Sequence, residues 1–176
     1  MADIGIVSPG KMGCSIAVSL INSGHSLYWA SDGRSESTKK NAESLKIKDV
    51  KSLSSLAKKC QYIFCIGTKS AGKDTLQEIP FYEGVFIDAN SMWGEESENS
   101  YYEFVDSLGI NYVDAAIHGY PTWPNNIAPG MKRILFLYSK NNDLVTEVKN
   151  LFTDFVWSIE CCVGSAKANN RKLSNQ

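Results

Sequence analysis

Six residues near the start of the chain have the types and spacing of a turn that binds phosphate. The segment Ser8-Pro9-Gly10-Lys11-Met12-Gly13 follows the apolar residues 4–7 and precedes a helical pattern over residues 14–23. A helix that begins at such a turn presents unpaired backbone N–H groups and the positive end of its dipole to an anion. Gly10 allows the backbone to approach a pyrophosphate, and Gly13 allows the helix to pack closely on the strand. The segment therefore predicts a dinucleotide-binding turn.

Ser8 departs from the usual G-x-G-x-x-G pattern, in which its position is a glycine. Pro9 also fixes the next φ, so the tight turn has to form without the most permissive residue. Glycine patterns of this kind also occur at strand-to-helix turns that bind nothing, so the flanking elements have to decide. Here a strand precedes the turn, a helix follows it, and a second strand is predicted at residues 26–30, as dinucleotide binding requires.

About 20 residues after the glycine turn, a polar segment stands where the adenosine ribose is recognised in such folds. If Asp32 faces the ribose, it accepts hydrogen bonds from both hydroxyls and selects NAD. If Arg34 lies at the adenosine side instead, with Ser35 and Thr38 nearby, its guanidinium pairs with a 2′-phosphate and selects NADP. We favour NADP, because Arg34, Lys39 and two hydroxyls outnumber one carboxylate. The alternative is a solvated helix start capped by Asp32 and Ser35.

Short apolar runs alternate with helical patterns along the chain, which is typical of βαβ units. Gly24 and Gly109 end two of the helices, the second of which covers residues 95–108, and Ser35 caps another. The proline-containing residues 119–130 are predicted as an irregular loop. The sequence thus predicts an α/β fold of the Rossmann type, with a doubly wound, mainly parallel sheet between two layers of helices. The predicted strands are residues 4–7, 26–30, 62–66, 85–89, 112–117, 134–138 and 156–160.

Composition and charge favour one globular domain in a reducing compartment. The 176 residues are 43% hydrophobic and carry a formal net charge of −1, which gives no electrostatic basis for binding nucleic acid or an anionic membrane. No apolar run approaches the about 20 residues of a membrane span, and a strand starts too close to Met1 for a secretory signal. The five cysteines indicate neither a disulfide framework nor a zinc site, and Cys14 and Cys65 are expected to pack as small apolar groups. We expect a cytoplasmic protein without a metal.

Several segments resemble the 6-phosphogluconate dehydrogenase and 3-hydroxyisobutyrate dehydrogenase superfamily. They are residues 4–13, the helix exit Ser23-Gly24-His25, and residues 112–119, which read Tyr-Val-Asp-Ala-Ala-Ile-His-Gly. The segments most similar to the branch described as 6-phosphogluconate dehydrogenase-like NAD(P)-binding proteins are Gly33-Arg34-Ser35 with Thr38, Asp88-Ala89-Asn90-Ser91, and Ile117-x-Gly119-x-Pro121. The resemblance, over residues 3 to about 165, implies a Rossmann-type domain joined to an all-helical C-terminal domain. It also implies hydride transfer between a β-hydroxyacid and NAD(P).

The resemblance assigns roles to residues at the ends of three strands. His118 stands where the family usually carries a small hydroxyl residue, and it could donate to a substrate carboxylate or pack under Tyr120 and Trp123. The expected substrate-side loop is the segment from Asp114 to Gly119, in which the expected substrate contacts are Ala115, Ala116, Ile117, His118 and Gly119. The expected nicotinamide side is Gly67, Thr68, Ser70, Asn90 and Ser91, whose alternative role is loop polarity and helix capping. The remaining predicted cofactor contacts are Ser8, Pro9, Gly10, Lys11, Met12, Gly13, Arg34, Ser35 and Thr38.

A catalytic lysine begins the first helix of the C-terminal domain in the family, with an asparagine one turn later, and exchanges a proton at the alcohol oxygen. Two registers fit this chain imperfectly: Lys167 with Asn170, and Lys172 with Asn175. Neither has the asparagine at i+4. We expect a binding domain over residues 1–163. Residues 164–176 are expected to be a polar tail, or the start of a missing helical domain, because they contain almost no apolar surface to bury.

The sequence therefore favours an NADP-binding Rossmann domain of a β-hydroxyacid dehydrogenase-type oxidoreductase, with NAD as the second choice of cofactor. One alternative is a non-catalytic dinucleotide-binding module or truncated pseudoenzyme. Another is a substrate class like that of the imine reductases. The expected partners are a small-molecule dinucleotide and, for an active assembly, a second copy or a partner chain that supplies helices.

Overall fold

The computed structural model describes residues 1–91 and 95–176, and within them the chain forms eight strands and seven helices. The strands are β1 (Asp3–Val7), β2 (Ser26–Trp29), β3 (Lys48–Asp49), β4 (Tyr62–Cys65), β5 (Val85–Asp88), β6 (Asn111–His118), β7 (Ile134–Tyr138) and β8 (Ser158–Cys161). The helices are α1 (Lys11–Asn22), α2 (Glu36–Ser44), α3 (Leu53–Lys59), α4 (Ala71–Glu78), α5 (Glu95–Leu108), α6 (Asn142–Lys149) and α7 (Ala166–Ser174).

All strands join one sheet in the order β3-β2-β1-β4-β5-β6-β7-β8. Neighbouring strands are parallel except β6 and β7, which are antiparallel. Because β1 has β2 on one side and β4 on the other, the winding of the sheet reverses between β1 and β4. Open α/β sheets bind ligands outside the carboxyl ends of the strands at such a reversal.

The sheet separates two layers of helices, because successive side chains of each strand point to opposite faces. Phe64 packs with the buried side chains of α1, α2 and α6, whereas its neighbours Ile63 and Cys65 pack with those of α3, α4 and α5. Helix α7 lies on the second face, where Ala166 contacts Ala116 and Phe136 in a smaller buried cluster. The predicted three-layer Rossmann-type fold is confirmed.

Most predicted elements are confirmed, with bounds that differ by at most three residues. Residues 95–108 and 134–138 match α5 and β7 at both ends, while α1 begins three residues earlier than expected, at Lys11. Gly24 and Gly109 follow their helices with φ of +91° and +65°, in the conformation that glycine adopts most easily. Ser35 caps α2 as predicted. The short edge strand β3 was not predicted, since both of its residues are exposed and polar.

Residues 166–174 form helix α7. Of the two expectations for residues 164–176, a polar tail and the start of a helical domain, only the second includes a helix at this place. Ala166 and Lys167 are buried, and Ser165 caps the helix by accepting a hydrogen bond from the Ala168 amide. Residues 119–130 contain no regular strand or helix, as predicted, and Cys14 and Cys65 are fully buried. Among the described residues, no helix is long and apolar enough to cross a membrane.

Candidate functional site

The carboxyl ends of the central strands open onto one cleft of about 660 Å³. Gly10, Met12 and Gly13 of the glycine turn line one side of it, and α7 lines another. The strand ends contribute Gly67 after β4, Asn90 and Ser91 after β5, and Ala116 and Ile117 at the end of β6. The structure thus brings residues from every predicted part of the cofactor and substrate sites to the edge of the sheet, except the segment after β2.

The glycine turn leaves the first turn of α1 open to a ligand. Gly10 is the N-cap of α1, no side chain caps the helix, and no acidic residue stands in its first turn. A Cβ at Gly10 would meet no atom within 4 Å, so this residue faces open space. A Cβ at Gly13 would lie 3.2 Å from the Ser8 carbonyl oxygen, which explains the close packing of helix on strand. These features fit an anionic pyrophosphate.

The other residues of the turn support its shape. Ser8 has φ +58°, the left-handed conformation that glycine would adopt more easily. The carbonyl of Pro9 accepts a hydrogen bond from Nδ2 of Asn41 at 3.1 Å, which ties the turn to α2. Lys11 is exposed at the start of α1.

The polar segment after β2 forms the start of α2. Oγ of Ser35 caps the helix by accepting from the Thr38 amide at 3.3 Å, and it also lies 2.9 Å from the Thr38 hydroxyl. Arg34 is half-buried and Asp32 is exposed. Neither side chain forms an ion pair with a described residue. Both remain available to a ribose or its phosphate.

Asn90 is a buried polar residue of the cleft that is held by its neighbours. Its side-chain Nδ2 donates to Oδ1 of Asp88 at 2.7 Å and contacts Sγ of Cys65 at 3.3 Å. Its Oδ1 is buried and has no hydrogen-bond partner. A buried acceptor without a donor is uncommon in folded proteins, so this atom is a candidate ligand contact. Thr68 and Ser70 are exposed and do not line the cleft.

Lys167 enters the floor of the cleft from α7 and is 4% exposed. Its Nζ lies 2.6 Å from Oδ1 of Asp114 and 3.7 Å from Oδ1 of Asp88. It also donates to the carbonyls of Asp88 at 3.1 Å and Ala115 at 3.2 Å. Burial by itself would lower the pKa of Lys167, but the two carboxylates outweigh it and raise that pKa. The ammonium is therefore charged at neutral pH, and its three N–H groups are all engaged.

The two carboxylates that hold Lys167 are themselves fully hydrogen-bonded. Asp88 accepts from the hydroxyls of Tyr101 and Tyr112, the latter at 3.0 Å. Asp114 accepts from the Ala166 amide at 2.8 Å. Burial, and then the charge of Asp88, raise the pKa of Tyr112 well above its usual value, so Tyr112 remains a donor. The resemblance placed Asp88 in the segment Asp88-Ala89-Asn90-Ser91 and Asp114 at the start of the substrate-side loop, but the sequence did not predict that both carboxylates hold Lys167.

The substrate-side residues of the sequence analysis separate in the structure. Oδ1 of Asn170 lies 3.2 Å from Nδ1 of His118, and Nδ2 of Asn170 donates to the Ile117 carbonyl at 3.3 Å. His118 therefore pairs with an amide of α7, an arrangement that neither expectation for it included. Ala115 is fully buried in the core rather than at the cleft, and Gly119 packs against Arg133. Lys172 is exposed on α7 and does not line the cleft.

The sheet order, the open helix N-terminus and the cleft at the winding reversal define a Rossmann-type dinucleotide-binding domain. Comparison with protein families gives a more particular result: the model for the NAD binding domain of 6-phosphogluconate dehydrogenase matches residues 3–123. The chain belongs to this family, and the predicted resemblance is confirmed. No curated protein matches the sequence.

Solved structures support the same fold at low sequence identity. One is a conserved protein of unknown function described as similar to 3-hydroxyacid dehydrogenases. The match covers 98% of this chain and 63% of that protein, with 17% sequence identity and a TM-score of 0.76. The match to Mycobacterium tuberculosis 3-hydroxyisobutyrate dehydrogenase with L-serine covers 99% of this chain and 59% of that enzyme, with 14% identity and a TM-score of 0.78. The match to Aspergillus terreus reductive aminase with NADPH and ethyl levulinate covers 99% of this chain and 60% of that enzyme, with 12% identity and a TM-score of 0.77. This chain thus spans less than two thirds of the length of each.

Proposed function

We propose that this chain is the NADP-binding domain of an oxidoreductase of the β-hydroxyacid dehydrogenase type. The observation that carries the proposal is the cleft itself, in which the uncapped start of α1 and the unpartnered Oδ1 of Asn90 face the same space. The helix start suits the pyrophosphate, and the amide oxygen suits a donor from the nicotinamide half. A bound nicotinamide ring supplies or accepts the hydride, and these residues orient it.

The preference for NADP rests on the residues after β2. The Arg34 guanidinium forms no ion pair with a carboxylate of the described residues, and Ser35 and Thr38 follow it by one and four residues. A guanidinium pairs with a phosphate through two parallel hydrogen bonds, which gives both affinity and selectivity. The reductive aminase neighbour was solved with NADPH, which is compatible with this choice.

Titration of wild type and Arg34→Ala with NADPH and NADH, followed by nucleotide fluorescence, tests the preference. We expect the substitution to weaken NADPH by about 1.5–3 kcal/mol, the value of a hydrogen bond to a charged group, and to change NADH little. Lys40→Ala, which removes an exposed charge from α2, the helix that follows Arg34, is the matched control. Equal affinities of the wild type for both cofactors would contradict the assignment and favour Asp32 as the ribose ligand.

Hydride transfer to or from a small hydroxyacid is the reaction we propose for the complete site, with imines as the alternative substrate class. The 3-hydroxyisobutyrate dehydrogenase and reductive aminase neighbours represent these two chemistries. A non-catalytic dinucleotide-binding module is the second candidate function. It is favoured by one observation, namely that all three N–H groups of Lys167 are engaged by acceptors of the protein.

A further inference from the structure

We propose that Lys167 is a positioning residue for dinucleotide binding, which acts through Asp88 to aim the side-chain oxygen of Asn90 at the nicotinamide half of the ligand. This inference rests on the proposed function, since it requires a dinucleotide in the cleft. It assigns Lys167 a role other than the proton transfer that the family resemblance suggested.

The first step is the geometry of the ammonium. Nζ of Lys167 donates to Asp114 at 2.6 Å, to the Asp88 carbonyl at 3.1 Å and to the Ala115 carbonyl at 3.2 Å. An ammonium has three N–H groups and no acceptor, so these contacts use its whole capacity. Lys167 thereby joins α7 to the end of β5 and the middle of β6.

The second step is the carboxylate that Lys167 shares with Asn90. Oδ1 of Asp88 accepts from the backbone amide of Asn90 at 3.0 Å and from its Nδ2 at 2.7 Å, and the Lys167 ammonium lies 3.7 Å from the same atom. An uncompensated buried carboxylate would be costly, and the nearby ammonium compensates the charge of Asp88 at this point. Because a carboxylate accepts only, it faces the NH₂ group of Asn90 and turns the amide oxygen the opposite way.

The third step is the direction of that oxygen. Asn90 is 2% exposed, its Oδ1 has no partner, and a Cβ at Gly67 would lie 3.4 Å from it. Gly67 and Asn90 both line the cleft. β5 is three strand spacings, or about 14 Å, from β2, where the adenosine ribose is recognised. A dinucleotide that crosses the winding reversal therefore presents its nicotinamide half, with its carboxamide NH₂ donor, at Asn90.

The test compares NADPH with 2′-phospho-ADP-ribose, which has the same adenosine and pyrophosphate but no nicotinamide. Affinities are measured by calorimetry for wild type, Lys167→Met, Asn90→Ala, the double variant, and Lys149→Met as an exposed-lysine control. We expect Lys167→Met and Asn90→Ala each to weaken NADPH about tenfold, as the loss of one hydrogen bond predicts. We expect affinity for the fragment to stay within about twofold. The double variant should bind NADPH no more weakly than Asn90→Ala alone, because both substitutions remove one contact.

Equal losses for NADPH and the fragment, or fully additive losses in the double variant, would overturn the inference and leave the proposed function intact. A wild type that binds neither ligand would overturn the proposed function and the inference with it. If Lys167→Met does not fold, hydrogen exchange of the wild type decides. NADPH, but not the fragment, should slow exchange at the Asn90 amide and along α7, and equal protection by both ligands would contradict the proposal.

Discussion

Ser8 is a residue at which the sequence opposes its own backbone conformation. It occupies the first position of the glycine pattern with φ +58°. The backbone amide of Gly10 closes the turn by donating a hydrogen bond to the Ser8 carbonyl at 2.7 Å. A left-handed conformation costs a residue with a Cβ about 1–2 kcal/mol, which glycine does not incur. The turn therefore forms in spite of Ser8.

We predict that Ser8→Gly raises the free energy of unfolding by about 0.5–1 kcal/mol, after the greater unfolded-state entropy of glycine is subtracted. NADPH affinity should be unchanged or slightly higher. Urea denaturation measures the stability, and Ser70→Gly is the matched control, since Ser70 has φ −92° and gains nothing from glycine. Destabilisation by Ser8→Gly would contradict this account of the turn.

Gly13 provides the opposite comparison within the same turn. A side chain there would meet the Ser8 carbonyl, a backbone atom that cannot rotate away. Gly13→Val should push α1 off the strand and abolish NADPH binding. A folded Gly13→Val variant that binds NADPH normally would show that the motif has been wrongly interpreted.

At the scale of elements, the loop between β6 and β7 is organised by one buried cation. Arg133 is 7% exposed and donates from Nε to the Tyr120 carbonyl at 2.8 Å, and from Nη2 to Oδ1 of Asn126 at 2.8 Å and the Ile127 carbonyl at 2.7 Å. Oγ of Ser15, on α1, accepts from the backbone amides of residues 122 and 123. The loop is thus fixed to the first turns of the helix that begins at the cleft.

We predict that Arg133→Met lowers the free energy of unfolding by about 2 kcal/mol and speeds hydrogen exchange across residues 120–131. Arg133→Lys should be nearly as damaging, because an ammonium cannot reproduce the planar fork of a guanidinium. Lys132→Met, next in sequence but exposed, is the control. Normal protection of the loop in Arg133→Met would assign its order to Ser15 instead.

The elements that the sequence predicted and missed differ in what stabilises them. The central strands were found because continuous apolar runs are buried on both faces, and α5 because its apolar stripe ends at Gly109. For helix α7 the sequence left open a polar tail or the start of a helical domain, because this segment carries little apolar surface. It is held instead by charge, through Lys167 on two aspartates and Arg171 on the buried Glu98.

The candidate site divides in the same way. The glycine turn is local in sequence, so its conformation could be inferred from six residues. Asp88, Asp114 and Lys167 come from three separate elements, and only the register of β5 against β6, which places Asp88 opposite Asp114, brings their charges together. Periodicity and propensity contain no information about such a pairing, because it depends on the assembled sheet.

At the scale of the whole molecule, buried thiols should make the fold sensitive to alkali. Burial raises the pKa of Cys14 and Cys65 to about 12 and is also the main cause of the same shift at Cys60. A thiol in the unfolded chain ionises near pH 9, whereas these three remain neutral in the folded state. Their contribution to stability is therefore complete below pH 9 and is lost as the pH rises from about 9 towards 12.

We predict that the free energy of unfolding falls between pH 9 and 10 by about 1 kcal/mol for each buried thiol, and changes little between pH 7 and 8. Urea denaturation under reducing conditions at each pH measures the slope. Cys14→Ala should make the free energy of unfolding depend less steeply on pH, by the contribution of one of the three buried thiols. Cys161→Ala, which removes an exposed thiol, should leave that dependence unchanged. A slope unaffected by Cys14→Ala would contradict burial as the cause.

Catalysis also belongs to the whole molecule, because a proton donor has to be held within about 2.6–3.2 Å of the reacting oxygen by a rigid support. Of the two candidate lysines, Lys172 is exposed outside the cleft, and Lys167 is rigidly held but engaged by protein acceptors. The charge that Asp88 and Asp114 stabilise on Lys167 also prevents it from accepting a proton at neutral pH. Neither lysine is therefore both rigidly held in the cleft and free to transfer a proton.

We predict that the 176-residue chain binds NADP but oxidises small β-hydroxyacids extremely slowly or not at all. Loss of a general acid or base alone removes about 10²–10⁴-fold in rate, and loss of substrate orientation removes more. The assay follows NADP reduction with a panel of β-hydroxyacids for wild type, Lys167→Met and Lys172→Met, with NADP binding measured in parallel. We expect both variants to retain the low wild-type rate. Lys167→Met should bind NADP more weakly than the wild type, whereas Lys172→Met should bind it equally well. Rapid turnover that Lys167→Met abolishes at saturating NADP would instead make Lys167 the proton-transferring group, because weaker binding cannot lower the rate once the cofactor saturates the site.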